Sequence, residues 1–125
     1  MFQDDYIMRQ IETITKALAR VIFHKEEDTT EVIDQDGNLS GSNLLLYRLK
    51  RMLHDGRVNE AENLLYEAIE QNPQDEYFKT ALAFYDELKN WNDEKLKKCN
   101  YSREEIYDGL AHINRTWNAS HPKGE

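Results

Sequence analysis

The feature that most constrains this chain is a pair of helical patterns between Leu44 and Pro73, separated by Asp55-Gly56. Apolar residues recur at spacings of three and four in each half, as on one face of an α-helix. Glycine takes the positive φ that ends a helix without a Cβ penalty, and proline has no amide to continue one. The pattern therefore predicts two helices folded back on each other. The apolar positions are Leu45, Leu46, Leu49, Met52 and Leu53, then Val58, Ala61, Leu64, Leu65, Ala68 and Ile69.

The second helix of this hairpin carries a more specific pattern. Gly56, Ala61, Leu65, Ala68 and Pro73 have the spacing that the tetratricopeptide repeat uses from its turn to its closing proline. In that repeat the two alanines let the paired helices approach closely, and the large residue between them fills the gap. The stretch therefore resembles a tetratricopeptide repeat, which implies antiparallel helical hairpins and a role in binding proteins or peptides.

The first helix departs from the repeat pattern. Leu49 stands where the repeat has a small residue, which should push the two helices apart or tilt them. Leu82-Ala83 restores the Leu-small pair at the repeat period, whereas Lys95 and Cys99 stand where alanine and a large apolar residue belong. The resemblance thus covers about one and a half divergent repeats. The opening MFQDDYIMRQIE followed by such a hairpin also resembles small uncharacterised bacterial cytoplasmic proteins.

The longest helical pattern runs from Asp4 to about Lys25. Its apolar residues are spaced 4, 3, 4 and 3, as in the seam of a coiled coil, and they are Ile7, Ile11, Ile14, Leu18 and Val21. Two interpretations remain open for this seam. It packs onto the hairpins of its own chain, or part of it pairs with a second copy and forms a dimer interface.

Residues 26–41 read as an acidic, polar linker with two glycines. Asp36-Gly37 is a possible hairpin turn, and the alternation Asp34, Asp36, Asn38 suggests a calcium loop. Aligning Gly37 with the glycine of such a loop puts Asn43 at the position of the bidentate glutamate, so we do not expect calcium binding.

Three further helices follow the hairpin. Asp75 is positioned to cap the first, which has apolar residues on two faces. Asn92 to Cys99 forms a short second helix. Ser102 caps the third, with Glu105 three residues on in a capping box, and the helix extends to Asn118. The predicted fold is all-α: tetratricopeptide-like hairpins in a core at 42–118, a long N-terminal helix at 1–25, two C-terminal helices and a frayed tail at 119–125.

Composition limits the possible partners. At 125 residues the chain fits one domain, residues 1–125. Its net charge of −8 argues against nucleic acid and anionic membrane surfaces. No run approaches the roughly 18 apolar residues of a membrane span, and one cysteine forms no internal disulfide. We therefore expect a cytoplasmic protein with no membrane or nucleic-acid partner.

No residue pattern points to catalysis. His24, His54, His112 and His121 are scattered without the short spacing of metal ligands. Lysines flank Cys99, and neighbouring positive charge lowers a thiol pKa in principle. No base stands near Cys99 in the sequence pattern. We expect no enzyme activity, no metal and no cofactor.

The leading functional hypothesis is a scaffold or protein–protein interaction module that binds a helix or peptide in an apolar groove. Tetratricopeptide register places six residues on the inner face of the hairpins: Leu46, Lys50, Leu53, Tyr77, Phe84 and Leu88. The alternative is a homodimeric structural or regulatory protein whose N-terminal seam forms the interface.

Overall fold

The computed structural model describes residues 2–25 and 41–121, and these form six α-helices with no strand among them. The all-α prediction is confirmed. The helices are α1 (Phe2–Lys25), α2 (Gly41–His54), α3 (Val58–Gln71), α4 (Asp75–Lys89), α5 (Asp93–Lys98) and α6 (Arg103–Ser120). The Asp36-Gly37 turn and the calcium-loop positions lie outside the described residues.

Helix α4 is the centre of the molecule. It packs against α1, α2, α3 and α6, while α2 also packs against α3, and α1 against α6. A helix buried on several sides must be apolar over most of its circumference. The two apolar faces predicted for this segment are both buried in α4, which contributes Phe78, Ala81, Leu82, Phe84, Tyr85 and Leu88 to the core.

One apolar core draws on all six helices. Ala61, the first alanine of the tetratricopeptide-like pattern, is fully buried in α3, whereas Ala68 is only partly buried. In α1 the buried stripe runs through Ile11, Leu18 and Ile22. Val21 was predicted to continue this stripe, but its side chain is 44% exposed and Ile22 is buried instead. Four residues turn a helix by about 400°, close to a full turn, so Ile22 lies below Leu18.

The two tight turns, after α2 and after α5, have the same geometry. The amide of Arg57 donates to the carbonyl of Met52 and that of Gly56 to Leu53, both at 2.9 Å. After α5, Tyr101 donates to Leu96 and Asn100 to Lys97, both at 3.0 Å. This pair of bonds defines the Schellman motif, which needs a left-handed residue just past the helix. Gly56 (φ 79°) and Asn100 (φ 57°) fill that position.

The ends of α6 are both tied to the rest of the chain. The hydroxyl of Ser102 accepts from the amide of Glu105 at 3.2 Å, which confirms the predicted cap. Arg103 donates to the carbonyls of Lys89 and Trp91 and pairs with Asp93 at 2.9 Å. The N-terminus of α6 is thereby fixed to the end of α4 and the start of α5.

The C-terminal end of α6 extends beyond the predicted limit at Asn118. It continues to Ser120, and the imidazole of His121 stacks on the indole of Trp117 at 3.7 Å between ring centroids. The same ring lies 3.1 Å from a carboxylate oxygen of Asp75, so residues 119–121 are held in place rather than frayed. Residues 122–125 of the predicted tail lie outside the described residues.

Two predicted helix starts are wrong. Helix α2 begins at Gly41, so residue 41 belongs to a helix and not to the linker predicted at 26–41. Helix α4 is preceded by Gln74, and Asp75 is its first residue. There the carboxylate lies near the positive end of the helix dipole without capping the helix, and one of its oxygens contacts the His121 ring.

Candidate functional site

The residues predicted to line an apolar groove separate in the structure. Phe84 and Leu88 are buried in the core and present no surface to a partner, and Leu53 is buried except where it lines a hollow. Leu46 and Tyr77 are partly buried, and Lys50 is exposed. Tyr77 and Lys50 each line an open hollow, but these are two different hollows. The structure therefore divides the predicted groove into a filled interior and two separate surface depressions.

The first depression, here called the α2–α3 groove, runs between α2 and α3 to the start of α4. Its volume is about 560 Å³. Leu44 is 50% exposed there, and Leu64, Ala68 and Tyr77 are partly exposed. Arg48 and Glu67 supply charges of opposite sign at its edges, beside Leu45, Gln71 and Asn72. The groove combines an apolar surface with a polar rim.

The second depression, here called the basic hollow, has a volume of about 230 Å³ and lies where α2 and α4 end. Its lining comprises Lys50, Leu53, His54, Glu87, Trp91 and Lys95. The ammonium of Lys95 lies 4.1 Å from the centroid of the Trp91 ring, in a cation–π arrangement. The indole N–H of Trp91 donates to Glu87 at 3.2 Å.

A third depression of about 430 Å³ lies between α1 and α6 and includes Tyr6, Ile14, Ala17 and Tyr107. It bears on the predicted dimer seam. Ile11 and Leu18 are fully buried in their own chain, and Ile7 and Ile14 are partly buried. The seam therefore packs within its own chain, on α4 of the predicted hairpins and also on α6, which lies beyond them. The neighbouring face of α1 remains exposed.

A polar cluster that the sequence did not predict joins α3, α4 and the turn between α5 and α6. The carboxylate oxygen Oε2 of Glu62 accepts from the hydroxyl of Tyr85 at 2.6 Å and from that of Tyr101 at 2.8 Å. The Tyr66 hydroxyl lies 3.0 Å from the same oxygen and 3.0 Å from the Tyr85 hydroxyl. We call Glu62, Tyr66, Tyr85 and Tyr101 the carboxylate cluster.

Gly109 in the middle of α6 makes room for this cluster. A Cβ atom at Gly109 would lie 2.3 Å from the Tyr85 hydroxyl oxygen and 2.4 Å from the ring carbon that bears it. Real Cβ atoms do not approach other atoms so closely. Only glycine therefore lets the Tyr85 side chain pass α6 and reach Glu62.

Burial keeps the hydroxyls of the cluster protonated. Desolvation, reinforced by the charge of Glu62, raises the pKa of Tyr85 and that of Tyr101 well above the usual range. Desolvation raises the pKa of Tyr66 to about 12. At neutral pH all three phenols are hydrogen-bond donors and none is a tyrosinate nucleophile. The cluster is thus suited to joining helices rather than to nucleophilic chemistry.

Glu105 lies beside this cluster. Burial raises the pKa of its carboxyl, an effect opposed by the hydrogen bond with the Ser102 backbone and reinforced by the charge of Glu62. Its oxygen Oε2 is buried and has no hydrogen-bond partner among the described residues. The second carboxylate therefore adds negative charge near Glu62 without sharing its tyrosine donors.

Two signals in the sequence could have indicated the cluster. Glu62 and Tyr66 are four residues apart on α3, the spacing at which helical side chains meet. Gly109 interrupts an otherwise regular helical pattern, and such a glycine often marks a close approach. Neither signal indicates Tyr85 or Tyr101, because these two residues lie in other parts of the sequence.

The remaining candidate residues are dispersed. Cys99 is partly buried, lies under the Gly56 turn and lines none of the three depressions. His112 lies against the ring of Tyr66 at 4.6 Å, and His54 lines the basic hollow. The side chain of His24 lies outside the described residues. Among the described side chains, no three His, Cys, Asp or Glu residues are grouped to hold a metal ion.

Comparison with known proteins places the chain in a family. Within residues 2–25 and 41–121, no helix combines the length and apolar character needed to cross a membrane. Neither the curated proteins nor the solved structures contain a match to this sequence. A protein-family model, described as a family of unknown function (DUF6483), matches residues 1–118. Because this match covers nearly the whole sequence, the chain belongs to the DUF6483 family.

Proposed function

We propose that this chain is a non-catalytic protein-interaction module whose α2–α3 groove binds a helix of a partner protein. The observation that supports the proposal is the apolar surface left open in that groove by Leu44, Leu64, Ala68 and Tyr77. Exposed apolar surface rimmed by polar residues is typical of sites that bind proteins.

The dimensions of the groove suit a helical ligand. On α3 the lining extends from Leu64 to Gln71, and eight residues at 1.5 Å per residue extend roughly 12 Å, or two turns. Amphipathic helices bind such grooves through apolar residues at i, i+3, i+4 and i+7. Arg48 and Glu67 would then meet polar residues at the edges of the ligand's apolar face.

The tetratricopeptide resemblance belongs to this proposal. Gly56 in the turn, buried Ala61 and the packing of α4 on both α2 and α3 support it. We further propose a bacterial cytoplasmic location with no nucleic-acid or membrane partner. One cysteine suits a reducing compartment, and a net charge of −8 disfavours polyanions.

Affinity capture with two variants tests the proposal. Leu64→Glu places a charge inside the groove, and Phe23→Glu makes the same kind of change on α1, at an exposed residue outside the groove. We expect a specific protein to be captured from native lysate by the wild type and by Phe23→Glu but not by Leu64→Glu. Melting temperatures would first establish that both variants fold.

The binding segment of the captured protein should then be made as a synthetic peptide. A peptide covering its binding segment should gain helical circular dichroism on addition of the wild-type chain. Equal capture by all three proteins, or no specific capture by the wild type, would refute the proposal that this groove binds a partner protein.

A homodimer is the second candidate, and the exposed face of α1 favours it. Residues spaced by three and four share this face, and none of them is charged: Tyr6, Gln10, Thr13, Ala17 and Val21. Tyr6 is 65% exposed. Five charged residues of α1 lie on a neighbouring face, namely Asp5, Arg9, Glu12, Lys16 and Arg20.

Light scattering decides between a monomer and a dimer. We expect a dimer mass at micromolar concentration for the wild type and a monomer mass for Ala17→Arg, which places a charge in the centre of the face. A wild-type monomer over the whole micromolar range would exclude the homodimer.

A further inference from the structure

Positive charge is concentrated in two short segments of this acidic chain. Residues 48–57 and 89–98 together hold eight of the 16 Lys and Arg residues and three of the 24 Asp and Glu residues. Their combined net charge is +5, whereas the whole chain carries −8. The charge of the molecule is therefore unevenly distributed along its sequence.

The fold brings these two segments together at one end of the molecule. Lys50 and His54 from the end of α2 line the basic hollow with Lys95 of α5, which is 45 residues away from Lys50. The side-chain amide of Asn59 donates to the carbonyl of Asn100 at 3.2 Å and fixes the two turns beside each other. The two segments thus form one basic end of the molecule, which exists only when the chain is folded.

The cations of the hollow are not neutralised by ion pairs within the described chain. Ion pairs among the described residues join Arg57 to Glu60, Lys89 to Asp86 and Arg103 to Asp93. Lys50, His54 and Lys95 appear in none of them. Glu87 is the one carboxylate in the lining, and its Oε2 accepts from the indole N–H of Trp91.

We propose that the basic hollow binds an acidic segment of a partner protein, with a carboxylate held between Lys50 and Lys95. Both ammonium groups donate charge-assisted hydrogen bonds to carboxylates. Leu53 and Trp91 provide an apolar floor and wall against which the methylene groups of a glutamate pack. A volume of about 230 Å³ accommodates one or two acidic side chains.

The charge distribution favours an acidic peptide over nucleic acid. Electrostatic interactions in physiological salt extend about 8 Å. An acidic segment of a few residues stays within that distance of the basic end. A polynucleotide extends past that end toward the rest of the chain, whose sequence holds 21 acidic and eight basic residues.

This site is distinct from the α2–α3 groove, and neither proposal depends on the other. The basic hollow is lined by the ends of α2 and α4 together with α5, and it shares no lining residue with the groove. Leu64→Glu should therefore leave acidic-peptide binding unchanged. Variants of the hollow should leave capture through the groove unchanged.

Fluorescence anisotropy with a labelled octapeptide of four glutamates and four serines tests the proposal on the full chain. Lys50→Glu and Lys95→Glu should each weaken binding about three- to tenfold, because reversing a charge removes one attraction and adds one repulsion. Glu87→Gln should strengthen binding, because it removes the only carboxylate of the lining. The indole N–H resonance of Trp91 should shift on titration.

Controls separate the hollow from general charge effects. Lys16→Glu changes the net charge equally but lies on the exposed charged face of α1, so its affinity should equal that of the wild type. The glutamine version of the octapeptide should not bind. Inorganic phosphate at equal charge concentration should not displace the octapeptide if carboxylates are recognised together with their methylene groups.

Three results would overturn the proposal. The first is equal weakening by Lys16→Glu and Lys50→Glu, which would indicate a net-charge effect. The second is displacement of the peptide by free phosphate, which would indicate a simple anion site. The third is tighter binding of a ten-nucleotide single strand than of the octapeptide, which would indicate nucleic acid as the partner.

Discussion

Phe84 and Tyr85 are neighbours on α4 and equally buried, at 1% exposure each, yet they serve two different kinds of packing. Phe84 shares a face of α4 with Tyr77 and Leu88, and its ring is held by packing without any hydrogen bond. The ring of Tyr85 lies edge-to-face against that of Phe84, with 5.0 Å between ring centroids, and its hydroxyl reaches the carboxylate cluster 2.6 Å from Glu62. One central helix thus has an apolar side and a side that ends in a buried polar group.

The two sides differ in how they tolerate change. Apolar packing is non-directional, so neighbouring side chains can shift to fill a small defect. A buried hydroxyl or carboxylate needs a partner at a fixed distance and angle, and its loss leaves another group unsatisfied. The apolar side therefore stabilises the fold in proportion to the side-chain volume that it buries. The polar side fixes how α3, α4 and α6 are aligned.

The largest effect is expected on the apolar side. Phe84→Ala removes a fully buried ring and should lower the free energy of unfolding by about 3–5 kcal/mol, as such truncations do in other cores. Urea denaturation measures the loss. Phe23→Ala is the matched control, because Phe23 is half exposed on α1 and its loss should cost below about 0.5 kcal/mol. Similar losses for both variants would contradict the burial of Phe84.

The next effect tests the close approach of Tyr85 to α6. Gly109→Ala places a methyl group within contact distance of the Tyr85 ring and should cost about 3 kcal/mol, in the upper range of overpacking. In a Tyr85→Ala background the same substitution meets no ring. There it should be neutral or stabilise, because alanine favours helix over glycine by about 1 kcal/mol. Additive losses in this double-mutant cycle would rule out the contact.

A smaller effect is expected from the acceptor of the carboxylate cluster. Glu62→Leu removes the carboxylate that accepts from Tyr85 and Tyr101 and leaves them only the Tyr66 hydroxyl and the Glu105 carbonyl, so it should cost about 1–3 kcal/mol. Glu62→Gln keeps an acceptor oxygen and should cost about 1 kcal/mol, since only the charge is lost. Glu70→Leu, an exposed change on the same helix, is the control. If Glu62→Leu is as stable as wild type, the cluster contributes only bulk to the core.

The same contrast explains what could be predicted from the sequence. Helical period and capping residues placed all six helices within a few residues, and the period identified both apolar faces of α4 because each face repeats locally. The seam of α1 was predicted one residue off at Val21, since an ideal seven-residue repeat drifts from the true period of the helix. Apolar packing of this kind follows from residues close together in the chain.

The surface and the polar cluster depend on residues far apart in the chain, and the sequence did not predict them. Tetratricopeptide register placed Lys50 and Phe84 in one groove, but Phe84 is in the core and Lys50 faces a hollow shared with Lys95. The carboxylate cluster joins residues 62, 66, 85 and 101. Helical spacing relates only Glu62 to Tyr66, so the other two positions are revealed only by the packing of α3 against α4 and against the turn before α6.

The smallest effect concerns the pH dependence of the polar side. Burial raises the pKa of Tyr66 to about 12, above the value of about 10 for a tyrosine in an unfolded chain. Between about pH 10 and about pH 12 the unfolded chain therefore releases a proton that the folded chain retains, and linkage requires the folded state to lose stability as pH rises. Below about pH 10 this contribution is fully present.

Urea midpoints at about pH 8 and about pH 11 measure this loss, and Tyr66→Phe should reduce it because phenylalanine has no proton to lose. Tyr47→Phe, at an exposed tyrosine on α2, should leave the loss at its wild-type size. Lysine deprotonation affects all three proteins alike, so the difference between the two variants isolates Tyr66. If Tyr66→Phe and Tyr47→Phe show equal alkaline losses, the Tyr66 hydroxyl is open to water, and the polar side of α4 is less closed than its hydrogen bonds imply.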